Sequence, residues 1–278
     1  MVDGYRAQAF ESRNLLLFFI IAFGITWLSA GILAVFAPAV PTSPSDPAML
    51  VTILAGLPGA FGPTIAAFIV TAISAGSAGV SALWRRFWNR NLPIGWLLVS
   101  LLGYDVMRLI ANTVARLLDG TAYPVIDLST PLWMVIPIFL QSFLLSGMGE
   151  EFGWRGFALP RFQAKWSALT SSILLGGLWA VWHLPFFFIP SQPLYQRNFW
   201  EWLPLISLSS VIYTWIFNNT GGSVLAAALF HAAFNSTIVI LPTYASLWYY
   251  YGSVLIAVIL IVAIFGSRNL VRDLPEAT

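Results

Sequence analysis

Three short segments of this chain combine residue types that can hydrolyse an amide bond. Glu150, Glu151 and Arg155 lie in "GMGEEFGWRG", His183 lies in "LWAVWHLPFFF", and His231 and Asn235 lie in "ALFHAAFN". The two histidines are the only ones among 278 residues. A carboxylate beside an imidazole can act as a general base on water. An amide and an imidazole N–H can stabilise the oxyanion that forms on the attacked carbonyl.

The spacing within these segments separates supporting residues from reactive ones. Glu151 and Arg155 are four residues apart with the acid first, the favourable orientation for an ion pair within a helix. Glu150 is then a surplus carboxylate, and the histidines and a water are the partners left for it. His231 and Asn235 are also four apart and share one helix face. The glycines around the glutamates predict close approach of neighbouring helices: Gly147, Gly149, Gly153 and Gly156.

The same residues leave a metal-dependent alternative open. A carboxylate with two imidazoles can bind a divalent ion that activates water, so zinc is the alternative cofactor. Asparagine is a poor zinc ligand and a good oxyanion donor, which favours a reaction without a cofactor. Because the chain has no cysteine, thiolate zinc sites, iron–sulfur clusters and cysteine nucleophiles are excluded.

The composition indicates an integral membrane protein. The chain is 59% hydrophobic and 9% charged, whereas soluble domains carry about 25% charged residues. We therefore predict an all-α, polytopic bundle of about eight transmembrane helices in one domain, residues 1–278, with a catalytic core at about 145–240. The net charge of +2 and the absence of a basic run argue against a nucleic-acid partner.

Eight apolar windows are each near the ~20 residues that one span needs. The first window is too long for the apolar part of a signal peptide and predicts a retained span. The windows are 15–37, 49–74, 94–118, 132–157, 167–189, 203–217, 222–241 and 244–265.

Basic residues near the span ends predict that both termini are cytoplasmic. The inner segments would hold Arg6, Arg13, Arg85, Arg86, Arg90, Arg161, Lys165, Arg268 and Arg272. The outer loops would hold Arg197, with Arg116 at the edge of a span.

Two further charges fall inside the third window. Asp105 and Arg108 are three residues apart, which favours a structural ion pair.

The predicted depths of the reactive residues in the membrane disagree. If the fourth span ends near Pro160, Glu150 lies ~14 Å from its inner end, whereas His183 lies ~24 Å from Ser167 at ~1.5 Å per residue. We expect residues 158–169 to enter the membrane at its interface and remove this difference.

The three segments also resemble a known family. "EEFGWRG" matches an E-E-x-x-x-R motif, "WAVWH" matches a W/F-x-x-x-H motif through Trp179 and His183, and "HAAFN" matches an H-x-x-x-N motif. Together they resemble the CPBP family, which comprises type II CAAX prenyl proteases and bacteriocin-processing or immunity (Abi) proteins. One such motif is weak, but three in order on separate spans are specific.

The resemblance implies an eight-helix intramembrane glutamic endopeptidase that acts on membrane-anchored or lipidated peptides. It implies that Glu150 and His183 activate a water, that His231 and Asn235 form the oxyanion site, and that Glu151 and Arg155 support them. Family and composition together indicate the plasma membrane of a prokaryote. A non-proteolytic immunity or scaffold protein of the same fold stays open, as does a zinc protease. A transporter is disfavoured because we detect no internal repeat.

Overall fold

The computed structural model describes residues 11–37, 39, 47–88, 92–120, 125–129, 131–241 and 247–272. Every regular element within these residues is a helix. The nine helices are α1 Ser12–Phe36, α2 Pro47–Ala60, α3 Gly62–Arg85, α4 Ile94–Asp119, α5 Leu132–Gln163, α6 Ala168–Trp182, α7 Phe199–Asn219, α8 Val224–Ser236 and α9 Leu247–Phe265. The prediction of an all-α, polytopic membrane protein is confirmed.

Helices α2 and α3 together occupy the window 49–74, which the sequence predicted as one span. The chain bends at Phe61, between Pro58 inside α2 and Pro63 at the start of α3, because proline removes a backbone donor. Both helices pack along α1, where Thr26 donates a hydrogen bond to the carbonyl of Gly59 at 2.7 Å. A second break follows at Gly76, whose φ of 59° is a conformation that glycine adopts readily. The window 49–74 is therefore divided between two helices.

Helix α5 is longer than the predicted window 132–157, and it changes its hydrogen-bonding pattern along its length. The stretches Phe143–Met148 and Phe152–Ala158 are π-helical, and they flank the α-helical residues Gly149–Glu151. The helix then continues past Pro160 to Gln163, since Pro160 stands in the first turn of the final α-helical segment, where its missing N–H is tolerated.

This extension changes the depth argument for the reactive residues. Counted from Gln163, Glu150 lies at most about 20 Å along α5, close to the ~24 Å of His183 from Ser167. Residues up to Gln163 are thus a continuation of α5, and the entry of residues 158–169 into the membrane interface stays a prediction. Ser167 caps the next helix by accepting a hydrogen bond from the backbone N–H of Thr170 at 3.1 Å.

The window 167–189 ends early, at Trp182, and its last residues form a short 3₁₀ turn, Leu184–Phe187. Pro185 explains the end of the α-helix, because the residue before a proline avoids the helical conformation. Helix α7 extends the window 203–217 at both ends, and Asn198 caps it. Helix α8 is shorter than its window 222–241, and Ser223 caps it by accepting from the N–H of Ala226.

The outside of the bundle is apolar and its interior holds the polar residues, as expected of a protein in lipid. On α1, Leu16 and Ile20 are exposed, whereas Phe18 and Ala22 are fully buried. By length and composition, five helices could cross a membrane. They are Ser12–Phe36, Gly62–Arg85, Ile94–Asp119, Leu132–Gln163 and Trp248–Phe265. The shorter helices α6 and α8 carry site residues, and the basic residues Arg6 and Arg90 lie outside the described residues.

Candidate active site

Helix α5 brings both glutamates into the interior of the bundle. Glu150 is 5% exposed and Glu151 is fully buried, although adjacent residues of a helix normally point about 100° apart. Neighbouring helices enclose this segment on two sides because glycines allow it. A Cβ on Gly147 would lie 2.8 Å from the carbonyl oxygen of Ala228 in α8. A Cβ on Gly153 would lie 2.6 Å from Pro63 in α3, so the predicted close approach is confirmed.

Glu151 is held by two partners inside the bundle. Its Oε1 lies 3.1 Å from a terminal nitrogen of Arg155, one turn further along α5, so the expected ion pair forms. The same oxygen lies 2.8 Å from Nδ1 of His231. The guanidinium of Arg155 packs against the rings of Trp179 and Tyr213, at 4.5 and 4.1 Å from the ring centroids. Glu151 therefore fixes both the arginine and the imidazole of α8.

Glu150 has a different environment from its neighbour. Its Oε2 accepts two hydrogen bonds, from Nε1 of Trp179 at 2.7 Å and from Nε1 of Trp154 at 3.2 Å. Its Oε1 lies 4.0 Å from Nε2 of His231. One carboxylate oxygen is thus held by two indoles, whereas the other faces the imidazole. No arginine or lysine contacts Glu150 among the described residues, so it is a surplus carboxylate.

His183 directly follows the last residue of α6. Its Nδ1 lies 2.8 Å from the carbonyl oxygen of Trp179, which can only accept, so Nδ1 carries a hydrogen. In the neutral ring Nε2 is then an acceptor. The ring lies against the same indole that binds Glu150, with the ring centroids of His183 and Trp179 5.8 Å apart. The ring of His231 lies 5.4 Å from this indole, so Trp179 connects the three residues.

Asn235 lies one turn beyond His231 at the end of α8. Its side-chain Nδ2 donates to Oγ of Ser146, in the first π-helical stretch of α5, at 3.2 Å. Asn235, Ser146 and His183 are partly exposed, whereas Glu150 and His231 are buried. The structure therefore gathers the four predicted reactive residues from three helices around Trp179 and α5.

Comparison with known proteins covers this same part of the chain. The family "Type II CAAX prenyl endopeptidase Rce1-like" matches residues 131–237, which contain every residue of the three motifs. Over this segment the chain is similar to this family of endopeptidases.

A curated relative is "CAAX prenyl protease 2" of Methanococcus maripaludis. It is 33% identical over 98 residues, which are 33% of this chain and 36% of the relative. The matched part of the chain thus spans about a third of the length of this relative.

The sequence did not predict one contact of a motif residue. It also did not predict three site residues that lie outside the motifs. Trp179 was noted as a motif residue, but its bond to Glu150 was not foreseen. Trp154, Tyr213 and Ser146 were missed. The spacing could have indicated Trp154, which follows Glu150 by four residues and so shares its helix face. Tyr213 and Ser146 approach only through packing between helices, which no sequence spacing encodes.

The positions of the donor atoms bear on the zinc alternative. Within the part of the chain that the structure describes, no three His, Cys, Asp or Glu side chains form a group that could hold a metal. Nδ1 of His183 is bonded to a carbonyl, and one oxygen of Glu150 is bonded to two indoles. The ligand atoms left over are Oε1 of Glu150 and Nε2 of His183 and His231, and the metal-dependent alternative requires all three to converge on one ion.

The second charged pair, outside the family motifs, does not form as predicted. Asp105 and Arg108 have no contact of 4.0 Å or less between their charged atoms. The guanidinium of Arg108 lies instead 5.4 Å from the ring centroids of Tyr104 and Phe234, and it donates to the carbonyl of Leu241 at 3.5 Å. Aromatic rings stabilise a buried guanidinium through cation–π contact, which the spacing of two charges on one helix cannot reveal.

Proposed function

We propose that the chain is an intramembrane endopeptidase that hydrolyses an amide bond with a water activated by Glu150 and His183. The observation that carries the proposal is the environment of Glu150. A buried carboxylate without an arginine or lysine against it is costly at membrane depth, so it calls for a task. Two indole N–H groups hold one of its oxygens and leave Oε1 free to bind a water.

The two groups have complementary roles toward this water. Oε1 of Glu150 accepts one of its hydrogens, and Nε2 of neutral His183, which is an acceptor, receives a hydrogen bond from the other. The oxygen lone pair of the water then points at the carbonyl carbon of the substrate. As the C–O bond forms, Glu150 takes the proton and becomes a carboxylic acid.

The tetrahedral intermediate carries its negative charge on the former carbonyl oxygen. Asn235 donates to this oxyanion from its second amide N–H. His231 is the second donor: with its Nδ1 hydrogen bonded to Glu151, Nε2 donates to the oxyanion when the ring carries both hydrogens. Glu150 then returns its proton to the amide nitrogen, the C–N bond breaks, and a carboxylic acid and an amine leave. No metal takes part in these steps.

The relative's name supports a lipidated substrate. A CAAX prenyl protease acts on a membrane-attached peptide with a C-terminal C-a-a-X sequence. We extend this to the present chain as a membrane-anchored or lipidated peptide, cleaved inside an integral membrane protein. The matching segment contains the site, so the proposal concerns the same residues that carry the similarity.

The test is cleavage of prenylated C-a-a-X peptides by the purified full chain, followed by mass spectrometry. Glu150→Gln removes the base and keeps the size of the side chain, so kcat should fall by about 10²–10⁴-fold. His183→Ala should lose activity as well. Glu11→Gln, an exposed glutamate outside the site, is the matched control and should cleave normally.

Two outcomes would contradict the proposal. A Glu150→Gln variant that cleaves like the unmodified chain would exclude Glu150 as the base. We expect activity to persist after treatment with a chelator. The second contradicting outcome is a loss of activity with the chelator that added zinc restores, which would support the metal-dependent alternative.

A further inference from the structure

The hydrogen bond between Asn235 and Ser146 has no role in the steps above, yet it restrains a side chain that needs a defined orientation. The bond from Nδ2 of Asn235 to Oγ of Ser146 is 3.2 Å long. Within the part of the chain that the structure describes, Asn235 has no other side-chain hydrogen bond. The terminal torsion of asparagine is soft, so an unrestrained carboxamide would sample many orientations. An oxyanion donor gains most when its direction is fixed before the reaction.

Ser146 is a firm support because the backbone on either side of it is packed against other helices. Gly147 lies so close to the Ala228 carbonyl in α8 that a Cβ would be 2.8 Å from this oxygen. The carbonyl of Met148 accepts a hydrogen bond from Oγ1 of Thr64 in α3 at 2.8 Å. Ser146 is therefore held between two helices, four residues before Glu150.

We propose that Ser146 is a positioning residue that fixes the carboxamide of Asn235 for stabilisation of the oxyanion. This inference rests on the proposed function. One N–H of the carboxamide binds Oγ of Ser146, which leaves the second N–H to point at the substrate. Ser146 acts on the reaction through Asn235 alone, and this indirect action distinguishes it from a group that binds the substrate.

The effect should appear in kcat and not in KM, because the oxyanion exists only after attack. Loss of one hydrogen bond between neutral groups corresponds to about a three- to tenfold change in rate. Ser146→Ala should therefore lower kcat about three- to tenfold and leave KM nearly unchanged. Ser146→Thr keeps the hydroxyl and should restore kcat to within about twofold. Ser74→Ala is the matched control, because the Ser74 hydroxyl binds the Val70 carbonyl inside α3.

A double-mutant cycle separates positioning from an independent effect. Asn235→Ala should lower kcat by about 10²–10³-fold, as loss of an oxyanion donor does. Adding Ser146→Ala to this variant should change kcat by less than about twofold, since nothing remains to be positioned. Thermal unfolding of each purified variant separates these effects from misfolding. Ser146→Thr keeps a hydroxyl at this position, so it tests the role of the hydroxyl without the loss of a polar group.

The possible outcomes distinguish this inference from the proposed function. If the chain does not cleave peptides, or if Glu150→Gln cleaves normally, the proposed function fails and the role of Ser146 fails with it. If Glu150→Gln is inactive and Ser146→Ala has the kcat of the unmodified chain, only the role of Ser146 is excluded. An equal loss from Ser146→Ala with and without Asn235 would likewise exclude positioning.

Discussion

At the scale of single residues, the site depends on the different partners of the two carboxylate oxygens of Glu150. Oε2 of Glu150 receives two indole hydrogen bonds, and Oε1 lies on the side of His231. Glu151, one residue further, is neutralised by Arg155 and also binds His231. Two adjacent residues of the same type thus have separate roles, because only Glu151 is paired with an arginine.

The indole contacts give a prediction at this scale. Trp179→Phe removes the 2.7 Å hydrogen bond to Glu150 and keeps an aromatic ring in place. A hydrogen bond to a charged group is worth about 1.5–3 kcal/mol, so kcat should fall by about 10- to 100-fold. Trp154→Phe removes the longer contact of 3.2 Å and should have a smaller effect. Steady-state kinetics on the same peptides measure both.

The control for these variants is Trp248→Phe, at a side chain that is 72% exposed on α9. It should leave kcat unchanged. A Trp179→Phe variant with kcat within about twofold of the unmodified chain would show that the indole does not orient the carboxylate.

At the scale of elements, α5 determines the geometry of the site. Its two π-helical stretches lie on either side of Gly149–Glu151, as π-bulges often do at functional sites. Its glycines let α3 and α8 pack directly against its backbone. The helix therefore presents its glutamates to α6 and α8 while its other face is closed by α3.

Close packing of α5 against α3 can be tested with one methyl group. In Gly153→Ala the new Cβ would lie 2.6 Å from the backbone and Cβ of Pro63, so the two helices must separate. Overpacking of this kind costs about 1–3 kcal/mol, so the midpoint of thermal unfolding in detergent should fall. The displaced helix should also lower peptide cleavage.

Gly24→Ala provides the matched comparison on α1. No atom lies within 4 Å of a Cβ at this position, so this variant should unfold at or above the temperature of the unmodified chain. Equal unfolding midpoints for the two alanine variants would show that α5 and α3 are not tightly packed at Gly153.

At the scale of the whole molecule, the bundle has an apolar outer surface and a polar interior site. The predicted orientation places both termini in the cytoplasm. Lys165 and Arg197 lie beyond opposite ends of α6, and both are exposed. They should therefore be accessible from opposite sides of the membrane.

The absence of cysteine makes this orientation directly measurable, because an introduced cysteine is the only thiol in the chain. A membrane-impermeant maleimide added to intact cells should label Arg197→Cys. It should label Lys165→Cys only after the membrane is opened. The reverse pattern would invert the predicted topology, and labelling of both positions in intact cells would show that α6 does not span the membrane.

The sequence by itself determined the membrane class, the helical fold and the chemical identity of the candidate site. These follow from local properties: hydropathy sets the helices, and charged or titratable residues are rare in lipid, so Glu150, His183 and His231 stand out. The pairing of Glu151 with Arg155 was also predictable, since it depends only on the spacing along one helix.

The tertiary structure decided the contacts between helices and the course of the helices themselves. The bend at Phe61, the π-helical stretches of α5 and its continuation to Gln163 depend on packing around glycines and prolines. The bond from Trp179 to Glu150 and that from Asn235 to Ser146 join residues 29 and 89 positions apart in the sequence. Such contacts arise from the relative placement of helices, and the periodicity of a single helix contains no information about it.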